Sequence, residues 1–100
     1  MDFAAFQSSL SASQPPAGLD TYLQALWYDG KGDWEQAHEL IQAADNNTAA
    51  RIHAYLHRKE GDTWNANYWY SKAGRRMPGH TLDKEWETMV KELLEYGEFN

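Results

Sequence analysis

Apolar residues recur along this chain at intervals of three and four, the period of a helix with one buried face. Leu19, Tyr22, Leu23, Leu26 and Trp27 form the first full stripe, which Asp29-Gly30-Lys31-Gly32-Asp33 brings to an end. A second helix is expected over about 34–44, with Ala37, Leu40, Ile41 and Ala44 inward. Asp45-Asn46-Asn47 stops it and caps a third, over about 48–60, carried by Ala49, Ile52 and Leu56. Gly61-Asp62 breaks the pattern again, and Asp62 or Thr63 can cap a fourth helix over about 64–73, closed by Gly74 and Pro78. Thr81 caps the last, whose stripe is Leu82, Trp86, Met89, Val90, Leu93 and Leu94. No strand-like alternation competes.

Before these lies a short amphipathic stretch over 2–10, with Phe3, Phe6 and Leu10 on one side. The run Ser11-Ala12-Ser13-Gln14-Pro15-Pro16-Ala17-Gly18 separates it from the rest, because Pro and Gly break regular structure. The expectation is therefore an all-α chain: an arm and linker over 1–18, loosely held or docked late, then one helical domain over 19–100.

Within that domain the breaks repeat. Gly32-Asp33-Trp34-Glu35-Gln36-Ala37 aligns with Gly61-Asp62-Thr63-Trp64-Asn65-Ala66 at an offset of 29 residues. The same offset superposes Ala25 on Ala54, Ile41 on Tyr70 and Ala44 on Ala73. Small residues near helix middles let two helices approach closely, and Gly permits the tight turn between them. The stretch from Gly61 through Ala66, Tyr70 and Ala73 to Pro78 resembles the second helix and closing proline of the tetratricopeptide repeat, a resemblance covering roughly 19–79. The offset is shorter than that family's period of about 34, the first unit lacks a closing proline, and His57 replaces an aromatic residue. The resemblance implies two antiparallel helix hairpins, a C-terminal capping helix, and protein or peptide binding on the concave side. The run 53–70 is also similar to small uncharacterised bacterial proteins, a likeness that implies no activity.

Charge changes the picture locally. The chain carries −6 overall and no cysteine, which removes disulfides and thiolate chemistry. Residues 1–50 hold seven acids and one base; residues 51–76 hold six bases and two acids; residues 81–100 are again acidic. The net charge argues against nucleic acid, and the basic centre favours an acidic peptide or protein partner, or the chain's own acidic ends. No segment reaches the ~18 apolar residues of a membrane span, and Met1-Asp2-Phe3 does not begin a signal peptide. The expected location is the cytoplasm. Asn46-Asn47-Thr48 is formally a glycosylation site but reads as a turn and cap.

Several constellations bear chemistry. His53 and His57 stand at i,i+4, a spacing that lets two imidazoles share a metal, yet the sequence fixes no third ligand, and no metal or cofactor is expected. His38-Glu39-Leu40-Ile41-Gln42 misses the zinc-peptidase pattern, because Gln42 stands where a second His is needed. Asp29-Gly30-Lys31-Gly32-Asp33 fails as a calcium loop at Lys31. Arg51, Tyr55 and Arg58, at i, i+4 and i+7, share one face of the third helix. Two guanidiniums beside a Tyr suit a carboxylate or phosphate. Trp64, Tyr68, Trp69 and Tyr70 cannot all point inward from one helix. Tyr70 suits the core, while Tyr68 or Trp69 suits a seam or a partner interface.

These residues favour a non-catalytic interaction module with a partly basic, aromatic groove built on Arg51, Tyr55, Arg58, Tyr68 and Trp69. The alternative is a small-ligand, metal or enzyme pocket around His53, Tyr55, His57 and Tyr68. A homodimer through an apolar face is a third option.

Overall fold

Every helix of the computed structural model, which describes residues 1–99, starts at a short polar side chain that accepts a free N–H of the first turn. Asp2 caps α1 (Phe3–Ser9), Asp20 caps α2 (Thr21–Gly30) and Asp33 caps α3 (Trp34–Gln42). Asn46 caps α4 (Asn47–Lys59), Asp62 caps α5 (Thr63–Lys72) and Thr81 caps α6 (Leu82–Tyr96). The described residues contain no strand, and no helix among them is long and apolar enough to cross a membrane. The chain is all-α.

The 29-residue offset is visible in the backbone. Gly32 and Gly61 take φ of 86° and 87°, a left-handed conformation that costs glycine little. In both turns the following Asp closes the helix it leaves: Asp33 N–H donates to Tyr28 O and Asp62 N–H to His57 O, each at 2.9 Å. The same Asp then caps the next helix. Two short turns thus pack α2 on α3 and α4 on α5 as the most extensive helix contacts. Ala25, Ala37, Ala54 and Ala66, paired by the offset, are all fully buried.

The main core gathers Leu26, Trp27, Ile41, Ile52, Leu56, Met89, Val90 and Leu93 from α2, α3, α4 and α6. Ala54, Ala66 and Tyr70 make a second, smaller cluster between α4 and α5.

The arm is not loose. Phe6 is fully buried in the main core, and the rings of Phe3 and Phe6 lie 5.8 and 5.9 Å from Trp86. Trp27 donates its indole N–H to Ser9 Oγ, and Lys31 Nζ reaches the carbonyls of Leu10 and Ala12 at 2.8 Å each. Gly30 makes this closure possible. A Cβ there would come within 2.9 Å of Trp86 and 3.1 Å of Leu10. The Pro-rich stretch interrupts the helical pattern, but it does not detach what precedes it.

Candidate functional site

α4 runs through the middle of the molecule and carries polar side chains on two sides. Residues two apart on a helix point about 200° away from each other by the 3.6-residue period, so His53 and Tyr55 look to different neighbours.

On the first side Arg51, Tyr55 and Arg58 do share a face, and α6 covers it. Arg51 Nη1 lies 3.2 Å from Glu92 Oε2, and its guanidinium packs over the Phe99 ring at 4.3 Å. Burial and the nearby Arg75 lower the Arg51 pKa. Arg58 Nη1 donates to Glu85 Oε1 at 2.8 Å, and Nη2 donates to the His80 carbonyl. Glu85 is completely buried and also receives the Tyr70 hydroxyl, 2.7 and 2.8 Å from its two oxygens. Tyr55 donates to Asp29 Oδ2 at 2.8 Å, while Lys59 Nζ holds Asp29 Oδ1 at 2.9 Å. Burial and the adjacent carboxylates raise the pKa of Tyr55 and of Tyr70 above the usual phenol value. The expected groove is occupied by the chain's own acidic residues.

On the second side His53 and His57 meet a third imidazole from α3. His38 Nε2 and His53 Nε2 are 3.0 Å apart, so one ring donates N–H to the other. One ring nitrogen from each of His38, His53 and His57 lies within 4.8 Å of the other two. His57 Nδ1 donates to Glu60 Oε1 at 2.6 Å. Two indoles wall the group: Trp34 stacks on His38 at 4.8 Å and Trp69 on His53 at 4.0 Å. Trp34 is itself fixed by its N–H bond to Leu56 O. Burial, with His38 and His57 alongside, holds the His53 pKa down at about 4; burial and His57 lower that of His38. The sequence reading left His53 and His57 without a third ligand; the fold supplies His38. Tyr55 takes no part, since its hydroxyl is turned to Asp29, and the four-residue pocket around His53, Tyr55, His57 and Tyr68 is not assembled as one site.

The outer face of α5 is the third feature. Trp64 is 76% exposed and Tyr68 47%, with their rings stacked 6.1 Å apart. Lys72 Nζ sits 5.6 Å over Tyr68 and 5.3 Å over Trp69. Trp64, Asn67, Tyr68, Ser71 and Lys72 line an open surface cavity of ≈ 510 Å³. Trp69 is the half-buried residue between this face and the imidazoles.

Two signals were present and easy to pass over. Trp34, His38 and Ile41 fall at i, i+4 and i+7, a stripe aimed at the following helix. Glu85 lies one and two turns before Met89 and Leu93, on the apolar stripe of α6. A carboxylate there announces a buried partner. Asp29 offers no comparable signal, because it stands within a run of turn-forming residues.

Set against protein-family models, curated proteins and solved structures, the chain matches none of them.

Proposed function

We propose that the chain is a non-catalytic interaction module of the tetratricopeptide-like kind, acting in the cytoplasm. It holds an acidic peptide segment of a partner protein against the outer face of α5. The observation that carries this reading is the exposed Trp64–Tyr68 stack. Nearly all other large apolar side chains of the helices are buried or half-buried, whereas these two rings cover an open cavity. Aromatic anchors of this kind dominate binding energies at interfaces. The acidic character of the occupant follows from charge. Arg51, Arg58 and Lys59 are already neutralised by Glu92, Glu85 and Asp29, so they add nothing to recognition. Lys72 stays exposed inside the cavity, and Arg76 is exposed just beyond the helix.

The test is titration of the protein with a panel of fluorescent Asp/Glu-rich peptides that each carry one leucine or phenylalanine. Binding is expected to weaken with added salt and to be lost in Trp64→Ala. The same variant keeps its melting temperature, because surface substitutions away from packed features change stability by less than about 0.5 kcal/mol. Binding that survives Trp64→Ala, or failure of every acidic peptide, sinks the reading.

A further inference from the structure

Three imidazoles from two helices converge at one point of the molecule, and among the described residues only Glu60 bonds a carboxylate to any of them. His38 stands on α3, and His53 and His57 stand one turn apart on α4. We propose that His38, His53 and His57 bind one divalent transition-metal ion of the zinc class. The inference is independent of the peptide-binding face on α5.

The dimensions suit such an ion. Nitrogens held at about 2.0–2.1 Å from a tetrahedral zinc are about 3.3 Å apart. The Nε2 atoms of His38 and His53, at 3.0 Å, need to part only slightly. The His57 nitrogen, within 4.8 Å of the other two, closes the set by rotation of its own ring, which stacks on neither indole. The chemistry suits it too. Neutral imidazole is a ligand for zinc, copper and nickel, and the set contains no hard oxygen donor that would favour calcium or magnesium. In the hydrogen-bonded pair one ring carries its hydrogen on Nε2. Moving that hydrogen to Nδ1 of the same ring frees both Nε2 lone pairs for the ion.

The surroundings support the same assignment. A ligating His commonly donates its other ring N–H to a carboxylate, which fixes its tautomer and raises its basicity. His57 does this already, through Nδ1 to Glu60 Oε1 at 2.6 Å. Stacking on Trp34 and Trp69 fixes the planes of His38 and His53. His57, Glu60 and Asp62 form a second group of ligand-bearing atoms. Asp62, however, is committed to the start of α5, accepting from Asn65 N–H at 3.2 Å and from Asn65 Nδ2 at 2.7 Å. The all-imidazole set is the better site.

The test uses the untagged full chain after treatment with a chelator, titrated with Zn²⁺ in a calorimeter and with Co²⁺ in a visible spectrometer. One zinc per chain is expected at micromolar protein, with d–d bands of a low-coordinate cobalt ion. His38→Gln is expected to weaken binding by about 100-fold or more, and Glu60→Gln by about 10–100-fold. Asp62→Asn, which keeps an oxygen to cap α5, leaves affinity unchanged. Far-UV circular dichroism shows whether each variant is folded; should His38→Gln unfold, Glu60→Gln on the surface carries the comparison. Absence of zinc binding by the wild-type chain overturns the proposal. So does binding that ignores His38→Gln, or binding lost on Asp62→Asn, which would move the ion to the other group.

Discussion

The two polar sides of α4 handle burial in opposite ways. Towards α6 and α2, each cation is matched by a carboxylate and each buried carboxylate by a Tyr hydroxyl: Arg58 and Tyr70 on Glu85, Lys59 and Tyr55 on Asp29. Among the described residues no buried side-chain polar atom is left without a hydrogen bond. Towards α3 and α5, three imidazoles face one another, and among the described residues only Glu60 adds a carboxylate. The first arrangement is complete as it stands and holds α6 in place. The second gathers ring nitrogens around a shared point, and a stable helix pair does not require that. A charged stripe is therefore a weak sign of a binding surface when the same chain carries the opposite charge within reach, as the acidic α6 does here.

The largest effect is expected where the matched side is broken. Arg58→Glu places a second carboxylate against the fully buried Glu85. Loss of one partner from a buried ion pair costs about 3–5 kcal/mol, and the added repulsion works in the same direction. Urea unfolding followed by circular dichroism measures it. A near-wild-type midpoint with loss of acidic-peptide binding would restore Arg51, Tyr55 and Arg58 as an open docking face and reverse the assignment of the two sides.

Much of the scaffold was legible and much of the polar wiring was not. Helix positions follow from the spacing of Leu26, Ile41, Ile52 and Met89 and from Asp and Asn caps, all of them local signals. The Gly32-Asp33 and Gly61-Asp62 turns were equally readable, since a left-handed glycine followed by a capping Asp is a local device as well. The docking of α1 was not readable. It depends on Gly30 leaving room for Leu10 and Trp86, a contact across the chain that no window of sequence contains. His38 was missed for the same reason. Its partners His53 and His57 follow fifteen and nineteen residues later, and only the α3–α4 packing brings the rings together. Spacing within α4 put Arg51, Tyr55 and Arg58 on one face. His53 and Tyr55, however, grouped in one expected pocket, turn to different sides, and pairings between helices needed the fold.

Acid separates the two sides next. His53 titrates near 4 in the folded protein against an ordinary value of 6.5, so the fold disfavours its charged form. Its neighbours are His38 from α3, His57 on α4 and, across the Trp69 ring, Lys72 on α5. Above pH 6.5 the ring is neutral in folded and unfolded chains and contributes no pH dependence. As pH falls from 6.5 to 4 the unfolded chain takes up the proton first, and stability declines by about 1–3 kcal/mol. Below 4 this contribution levels off. Chemical denaturation of the metal-free protein in chelator at pH 7.0 and 4.5 reads the decline, and His53→Gln is expected to flatten it. An unchanged slope in that variant would place the acid sensitivity elsewhere.

The smallest effect separates a structural imidazole cluster from a metal site. In the metal-free protein His38→Gln exchanges one neutral hydrogen-bond partner of His53 for another, so stability should change by no more than about 1 kcal/mol. Added zinc should then distinguish the two chains. An ion that binds only the folded state at a free concentration of 100 times its Kd stabilises by about 2.7 kcal/mol. The wild-type chain is expected to gain that much, and His38→Gln almost none at the same zinc concentration. Melting both proteins in chelator and in buffered zinc gives the four values required. Equal gains in the two chains would mean that zinc acts without His38, and the imidazoles would then be a packed pair with a neighbour. A gain confined to the wild type ties the ion to the point where α3 meets α4, on the side of α4 away from its ion pairs.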